Sequence, residues 1–415
     1  MAREIVVMGA GMVGVSVAWH LARCGHSVTL VDRREPGRET SFGNAGIIQR
    51  EAVQPYPFPR DLATMLRVLP NRQVDIRYRP GGMLASAWPL LQYWRNSAPR
   101  RYARIVPEYA SLICLSLEAH APMVEAAGAD ALVRREGWLE IYRNREAMSA
   151  RLRGAEANAE RFGVRYRALD AGELAAMEPD LSDDLAGAIH WEQPWTVADP
   201  GALVQAYARS FEAEGGRVWQ ADVTDVTRHG SGWRVATSQG VLEAEQVVMA
   251  MGPWSGSWLS RLGLEVPLFV KRGYHMHYGV TGAARLNHWV MDAEVGYLLA
   301  PMQAGIRLTT GAELERLEAP PHLEQLVAAE RVAKKLFPLG ERLDDEPWKG
   351  ARPCTPDMKP VIGPAPGQDG LWLALGHGHQ GFTLGPATGR LLSQMMDGER
   401  PEIDMAPFRA DRFRG

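Results

Sequence analysis

Cysteine, long apolar runs and an excess of either charge are what this 415-residue chain has least of. Its three cysteines, Cys24, Cys114 and Cys354, lie far apart, form no CxxC pair and are odd in number. That excludes a disulfide framework and fits a reducing compartment, so a cytoplasmic location is expected. No stretch approaches the roughly eighteen apolar residues of a membrane span. Peripheral contact with the inner face of a membrane, or with a partner subunit, stays open. A net charge of −3 and a pI near 6.4 lack the basic footprint of a nucleic-acid binder, and the arginines are spread rather than blocked. Hydrophobic residues make up 46% of the chain, enough for a large core in one large domain or two interleaved ones.

What is present is concentrated first in residues 5–46. Ile5-Val6-Val7-Met8 is a short apolar run that reads as a buried strand, and Gly9-Ala10-Gly11-Met12-Val13-Gly14 follows it. Val15 to Arg23 then has helical spacing, and a second strand, Ser27 to Val31, ends on Asp32. Strand, glycine turn, helix, strand and acid in this order make a dinucleotide-binding unit. Gly9 allows the tight turn, Gly11 lets backbone approach a pyrophosphate, and Gly14 lets the helix lie against the strand. The helix start, with Ala10, Met12 and Val13, offers unpaired N–H groups and the positive end of a dipole to phosphates. Asp32 stands where a carboxylate accepts from ribose hydroxyls. A secretory signal would also be apolar here, but the glycine periodicity and the run into a second strand argue against it. Arg33 and Arg34 could clamp a 2′-phosphate, as an NADP site would require, or be surface charge. The small polar loop Glu39-Thr40-Ser41-Phe42-Gly43-Asn44-Ala45-Gly46-Ile47-Ile48 decides against NADP, because it can wrap a pyrophosphate and pass beneath a flavin ring.

GAGMVG, VDRR and TSFGNAG in this order resemble the D-amino-acid oxidase, glycine oxidase and sarcosine oxidase family of flavoproteins, most nearly its bacterial D-amino-acid dehydrogenase group. The resemblance implies an α/β fold. In it a Rossmann-like FAD-binding domain of the glutathione-reductase type is interleaved with an α+β substrate domain on an antiparallel sheet. The expected FAD part comprises residues 1–50, 138–260 and 345–415, and the substrate part with its helical cover 51–137 and 261–344. FAD contacts are implied for Asp32, Arg33, Arg34, Ser41, Asn44, Ala45, Gly46 and Ile47. They are implied also for Val223, through its backbone to adenine, and for Gly252 and Trp254 after the strand Glu245 to Ala250. The last landmark is Gly376-His377-Gly378-His379-Gln380-Gly381-Phe382-Thr383, a second glycine turn between the strand Leu371 to Leu375 and a helix to Met396. Family members hold the flavin pyrimidine edge there, where N–H donors favour the reduced, negatively charged ring.

Between these landmarks the pattern predicts an irregular stretch at Pro55, Pro57 and Pro59 and helical spacing from Tyr109 to Ala127, broken near Pro122. It further predicts a strand at 138–142, a charged helix at 145–162 and a helix from Pro200 to Gly215, while Leu169 to Pro179 resembles a family segment in which a short helix precedes the return to the FAD domain. Arg217 to Gly252 reads as a β-meander. Alternation from Leu264 to Gly311 suggests several antiparallel strands, and His322 to Phe337 an amphipathic helix stopped by Pro338.

The resemblance extends to Trp348-Lys349-Gly350-Ala351-Arg352-Pro353-Cys354, where the family arginine forks onto the substrate carboxylate. Only Arg offers a planar, permanently charged pair of donors for that task. A surface salt bridge is the bland alternative. Tyr297 matches a family tyrosine that shares the carboxylate, and an ordinary strand aromatic is its alternative. His379 is the histidine expected to touch substrate or flavin, His377 less so. His275 and His277 share one strand face but have no third ligand at metal spacing, so satisfied polar roles are expected and no metal is assigned. Relatives that tether flavin use a cysteine upstream of this segment, where Gly350 or a neighbour stands, so non-covalent FAD is expected and Cys354 is read as packing. The implied reaction is hydride removal from the α-carbon of a D-amino acid to flavin N5, giving an imino acid, then a 2-oxo acid and ammonia. Electrons would leave to a quinone or another carrier. Oxidation of a secondary amine such as D-hydroxyproline, sarcosine or an N-alkyl amino acid is the alternative, as is a flavin subunit of a hetero-oligomeric dehydrogenase.

Overall fold

The computed structural model describes residues 2–414. Its nucleotide half is a six-stranded sheet in the order 217–220, 27–32, 4–8, 246–249, 371–375, 361–364, parallel except for the last strand. Alternation sorts the first strand's side chains onto two cores. Ile5 and Val7 pack beneath the helices Met12–Arg23, Pro200–Ala213 and Gly381–Met396, and Val6 and Met8 beneath Trp233, Val235 and Trp258. The expected meander begins later than its pattern suggests. Arg217–Gln220 pairs with Ser27–Asp32 in the nucleotide sheet, and only 223–244 forms the antiparallel three-stranded meander. The chain changes sheets at Ala221 and Asp222, a break that apolar spacing does not register.

Glycine is obligatory where the first helix meets its strand. Gly9 has φ +103°, and a Cβ there would lie 2.4 Å from the Ala250 carbonyl oxygen. A Cβ on Gly14 would lie 1.7 Å from the Gly9 oxygen. Neither gap admits a methyl group.

The second half is an eleven-stranded sheet built around the twelve-residue strand Phe269–Val280, which pairs with 305–309, 312–314, 339–342 and 348–354. One face packs on the helix Glu324–Leu336. The other looks towards the nucleotide half. Residues 138–191, expected with the nucleotide part, instead put three strands into this sheet. Trp138–Tyr142, buried at every position, pairs with Val290–Asp292 on one side and Gly187–Trp191 on the other. Conversely, the helices Pro99–Cys114 and Ser116–Ala126 share the core of the first helix and so cover the nucleotide half. They part at Leu115, and Pro122 sits inside the second helix rather than at the break. Among the described residues no helix is long and apolar enough to cross a membrane.

On the far face of the long strand, Arg272 is fully buried. Its guanidinium donates twice to Glu313 Oε2 (3.0 and 2.7 Å) and again to the carbonyls of Ala319 (2.6 Å) and Pro320 (2.8 Å). The Tyr274 hydroxyl gives that carboxylate oxygen a third bond, 2.6 Å. Removing one partner strands the other without water. Glu313→Ala is therefore expected to destabilise the fold by about 3–5 kcal/mol, read as a lower urea midpoint at unchanged m-value. A midpoint within error of the parent would show that the pair contributes nothing.

Candidate active site

A cleft of about 390 Å³ runs from the C-terminal ends of the parallel strands to the large sheet, the position ligands take in open α/β sheets. At its outer end Asp32 faces the cleft, oriented by the Ala10 N–H (2.7 Å to Oδ2) and the Arg34 N–H (3.1 Å to Oδ1). Ala10 thus serves the acid rather than the cleft. Ser41 Oγ accepts from the Met12 N–H (2.9 Å) and would stand 3.3 Å from a Cβ on Gly11, so glycine keeps this helix entrance clear. Arg33 stacks on Trp254, 4.3 Å to the ring centre, and both Arg33 and Arg34 pair with Glu39 (2.7 and 3.2 Å). Already neutralised, they are poor candidates for a 2′-phosphate. Gly9, Val13, Val223 and Gly252 complete this wall, while Gly14 and Arg34 do not reach the cleft.

Where the halves meet, the loop of Ser41, Asn44, Ala45 and Ile47 crosses the cleft, held by the large sheet. Arg307 donates to the carbonyls of Asn44 (2.6 Å) and Phe42 (3.1 Å), and Trp289 Nε1 to that of Ala45 (2.8 Å). Arg307 Nε–H also donates to His277 Nε2 (3.0 Å). That fixes the other tautomer, whose Nδ1–H faces Asp344 at 2.8 Å. Burial and Arg307 hold His277 below the usual imidazole range and His275 at about 2, so both are neutral structural groups. Gly46 turns away from the cleft with φ +71°, and a Cβ there would strike the Val197 carbonyl at 2.4 Å.

Arg352 lies at the inner end, on the strand Trp348–Cys354. Among the described residues its only hydrogen bonds are long ones, both 3.3 Å, to the carbonyls of Arg272 and Gly311, and no carboxylate pairs with it. Burial lowers its pKa. Gly273 makes room, since a Cβ there would meet the guanidinium at 2.7 Å. The Trp348 ring stacks on His275 (4.9 Å, 15°) over Gly43 and Gly350, where a Cβ would fall 2.0 and 1.9 Å from it.

The second glycine turn forms as its spacing predicts. Gly376, Gly378, Gly381 and Phe382 line the cleft. His377 also lines the cleft, with its ring Nε2 engaged by Thr388 Oγ1 (2.9 Å). His379 reaches the cleft beside Tyr56, 5.1 Å between ring centres. Burial, with Arg352 and Lys271 adding to it, holds it far below the usual range and therefore neutral. Gln380 and Thr383 act one step removed. Gln380 Nε2 donates to Gln49 Oε1 (2.7 Å) and Thr383 Oγ1 accepts from the Gln49 N–H (3.1 Å), which sets Gln49 against the cleft.

Tyr297 is not part of this arrangement. It alternates with Leu298, which lines the cleft, and so points into the core behind the sheet, near Arg143 and Asp292. Strand periodicity allows only one of two adjacent residues on a face, and here it is the leucine. Gln49, Tyr56, Thr309 and Trp348 also line the cleft and escape motif reading. Thr309 Oγ1 is buried with no partner, an unmet donor and acceptor aimed at whatever the cleft holds. Only Trp348 carried a signal, its place two residues before a glycine.

The family described as FAD dependent oxidoreductase (DAO) matches residues 4–395. A D-amino acid dehydrogenase of Cereibacter sphaeroides (strain ATCC 17029 / ATH 2.4.9) is 33% identical over 99% of this chain and 95% of its own length. A D-amino-acid oxidase of Bradyrhizobium diazoefficiens is 31% identical over 99% of both. The crystal structure of glycine oxidase from Geobacillus kaustophilus superposes with a TM-score of 0.76 at 23% identity, covering all of both chains.

Glu51, behind Gln49, accepts from Gln49 Nε2 (2.9 Å) and Trp138 Nε1 (3.1 Å), but its second oxygen has no partner. Burial pushes its carboxyl up to about 7. Between pH 4.5 and 7 the native state then holds a proton that the unfolded chain has released, so this group's contribution is full below about pH 4.5 and lost as pH rises through about 7. Glu51→Gln should gain on the parent in thermal stability over that window, by about 3 kcal/mol. A difference between the two that does not change with pH would show an ordinary carboxylate.

Proposed function

The chain belongs to the FAD-dependent oxidoreductase family, and from that premise we propose that it oxidises D-amino acids to imino acids, which water converts to 2-oxo acids and ammonia. The observation that carries this reading is Arg352, a cation without a carboxylate partner at the inner end of a dinucleotide cleft. The chain's residues fit an extended FAD. The Cβ-free turn and Asp32 suit its pyrophosphate and ribose, and the clamped 41–47 loop and the 376–382 turn flank the place of its ring. Bound FAD supplies the two-electron acceptor for the α-hydrogen. Attachment is non-covalent in this reading, supported by Cys354, whose thiol turns towards the Arg352 carbonyl (3.5 Å), and by His377, engaged with Thr388.

Arg352 fixes the α-carboxylate by a forked pair of hydrogen bonds and so orients the α-carbon. A site holding Arg352 and Lys271 with a neutral His379 disfavours an ammonium group, so the substrate amine gives its proton to solvent water on binding and its lone pair is available as the imine forms. Tyr56 and Trp348 wall the inner end and limit water. Relatives named for D-amino acids, matching over nearly the whole chain, favour primary amines over secondary ones and count against a subunit-only role.

The electron acceptor in this proposal is a membrane quinone. Support comes from the surface next to Tyr56. The helices Leu62–Val68, Pro80–Ala85 and Ala87–Asn96 expose Leu62, Leu66, Leu84 (81% exposed) and Trp88, with Arg60 stacked on Trp94 at 3.8 Å. Apolar side chains interspersed with arginine suit an anionic lipid surface.

Two outcomes test the proposal. Arg352→Ala should retain the yellow cofactor and lose about 2–5 kcal/mol of transition-state binding, seen as a fall in kcat/KM on D-amino acids of at least about 30-fold. Unchanged turnover would remove Arg352 from its role. The holoprotein should co-sediment with phosphatidylglycerol vesicles, and Leu84→Glu with Trp88→Glu should leave it in the supernatant. Absence of sedimentation by the parent would count against a membrane quinone.

A further inference from the structure

Arg352 is not the only uncompensated cation at the inner end. The antiparallel register pairs it with Lys271, so the two side chains leave adjacent strands on the same, cleft-facing side of the sheet. Arg352 lines the main cleft. Lys271 lines a small cavity of about 30 Å³ that shares Tyr56 and His379 with it as a common wall. Of the other buried cations, Arg272 is paired with Glu313 and Lys359 with Glu108 and Asp357, while Arg307 spends its donors on two carbonyls and His277. Among the described residues neither Arg352 nor Lys271 has an ion-pair partner. Lys271 Nζ donates one hydrogen bond, to the Tyr93 hydroxyl at 3.0 Å, and lies 4.4 Å from that ring's centre. The Tyr93 hydroxyl donates its own O–H to the Tyr56 carbonyl (2.5 Å) and accepts from the ammonium, which keeps donors to spare.

We propose that Lys271 receives a second carboxylate, borne on the substrate's side chain, and that the preferred substrates are dicarboxylic D-amino acids. This rests on the D-amino-acid reading above. One α-carboxylate satisfies Arg352 and leaves a partly buried ammonium in a small cavity without a counter-charge, a costly arrangement. The cleft's acidic residues, Asp32, Glu39 and Asp222, all sit at the ribose end and cannot supply one. A side-chain carboxylate closes the balance, two anions against two cations. Size agrees, since the cavity has room for roughly two water-sized groups, enough for a carboxylate and too little for an aromatic ring.

Isosteric pairs isolate the charge. On the FAD-loaded enzyme, kcat/KM for D-aspartate over D-asparagine, or D-glutamate over D-glutamine, should be roughly tenfold or more, the scale of a hydrogen bond to a charged group. In Lys271→Met the acid-to-amide ratio should fall to about one or invert. Independently of any variant, malonate should perturb the flavin spectrum at concentrations at least about tenfold lower than propionate. Equal handling of acid and amide by the parent would overturn the proposal, as would a preference that survives in Lys271→Met. Oxidation of neutral D-amino acids without that preference sinks the dicarboxylate inference alone, whereas failure of every D-amino acid to bleach the flavin sinks the reading beneath it.

Discussion

The contact on which the structure depends is backbone against backbone, at Gly9, Gly14 and Ala250. With no Cβ in the way, the first helix lies on the strand end closely enough for its N-terminus to face the cleft. The same closeness brings Asp32 within reach of the Ala10 N–H. A side chain at either glycine would push the helix out, and the phosphate end of the cleft would go with it. No hydrophobic packing elsewhere can substitute, because the constraint is a distance and not an area.

The inner end follows a different logic. It sits on a strand pairing, Phe269–Val280 with Trp348–Cys354, whose cleft face alternates removal and placement. Gly273 and Gly350 remove side chains, and the space they leave is filled by the Arg352 guanidinium and the Trp348 ring. The far face of the same long strand carries the saturated Arg272–Glu313 pair. This pair of strands thus holds a cation fully compensated on one side and two cations uncompensated on the other. This asymmetry separates support from recognition.

The nucleotide half was legible in the sequence because its signals are local. Turn glycines, a strand and an acid fall within 32 residues, and the second glycine turn within eight. Helices at 145–162, 200–213 and 324–336 were also visible from spacing, the last two with proline at one end as well. Sheet membership was not. WLEIY reads as a strand wherever it goes, and only its pairing with Val290–Asp292 assigns it to the large sheet. Tyr297 failed for a related reason, since the choice of face between neighbours in a strand depends on register and not on residue type. Gln49 and Tyr56 lie in a proline-interrupted stretch whose path no periodicity fixes, and Lys271 gains meaning only once Arg352 is seen beside it.

The clamped 41–47 loop has a consequence for how long the protein keeps its cofactor. Its carbonyls are gripped by Arg307 and Trp289 from the large sheet, and the adjoining Gln49 by Gln380 and Thr383 from the nucleotide half. A dinucleotide lying beneath that strap would have to wait for the two sheets to part before it could leave, which would tie the cofactor's residence time to the opening of the interface rather than to the sum of contacts to the ring.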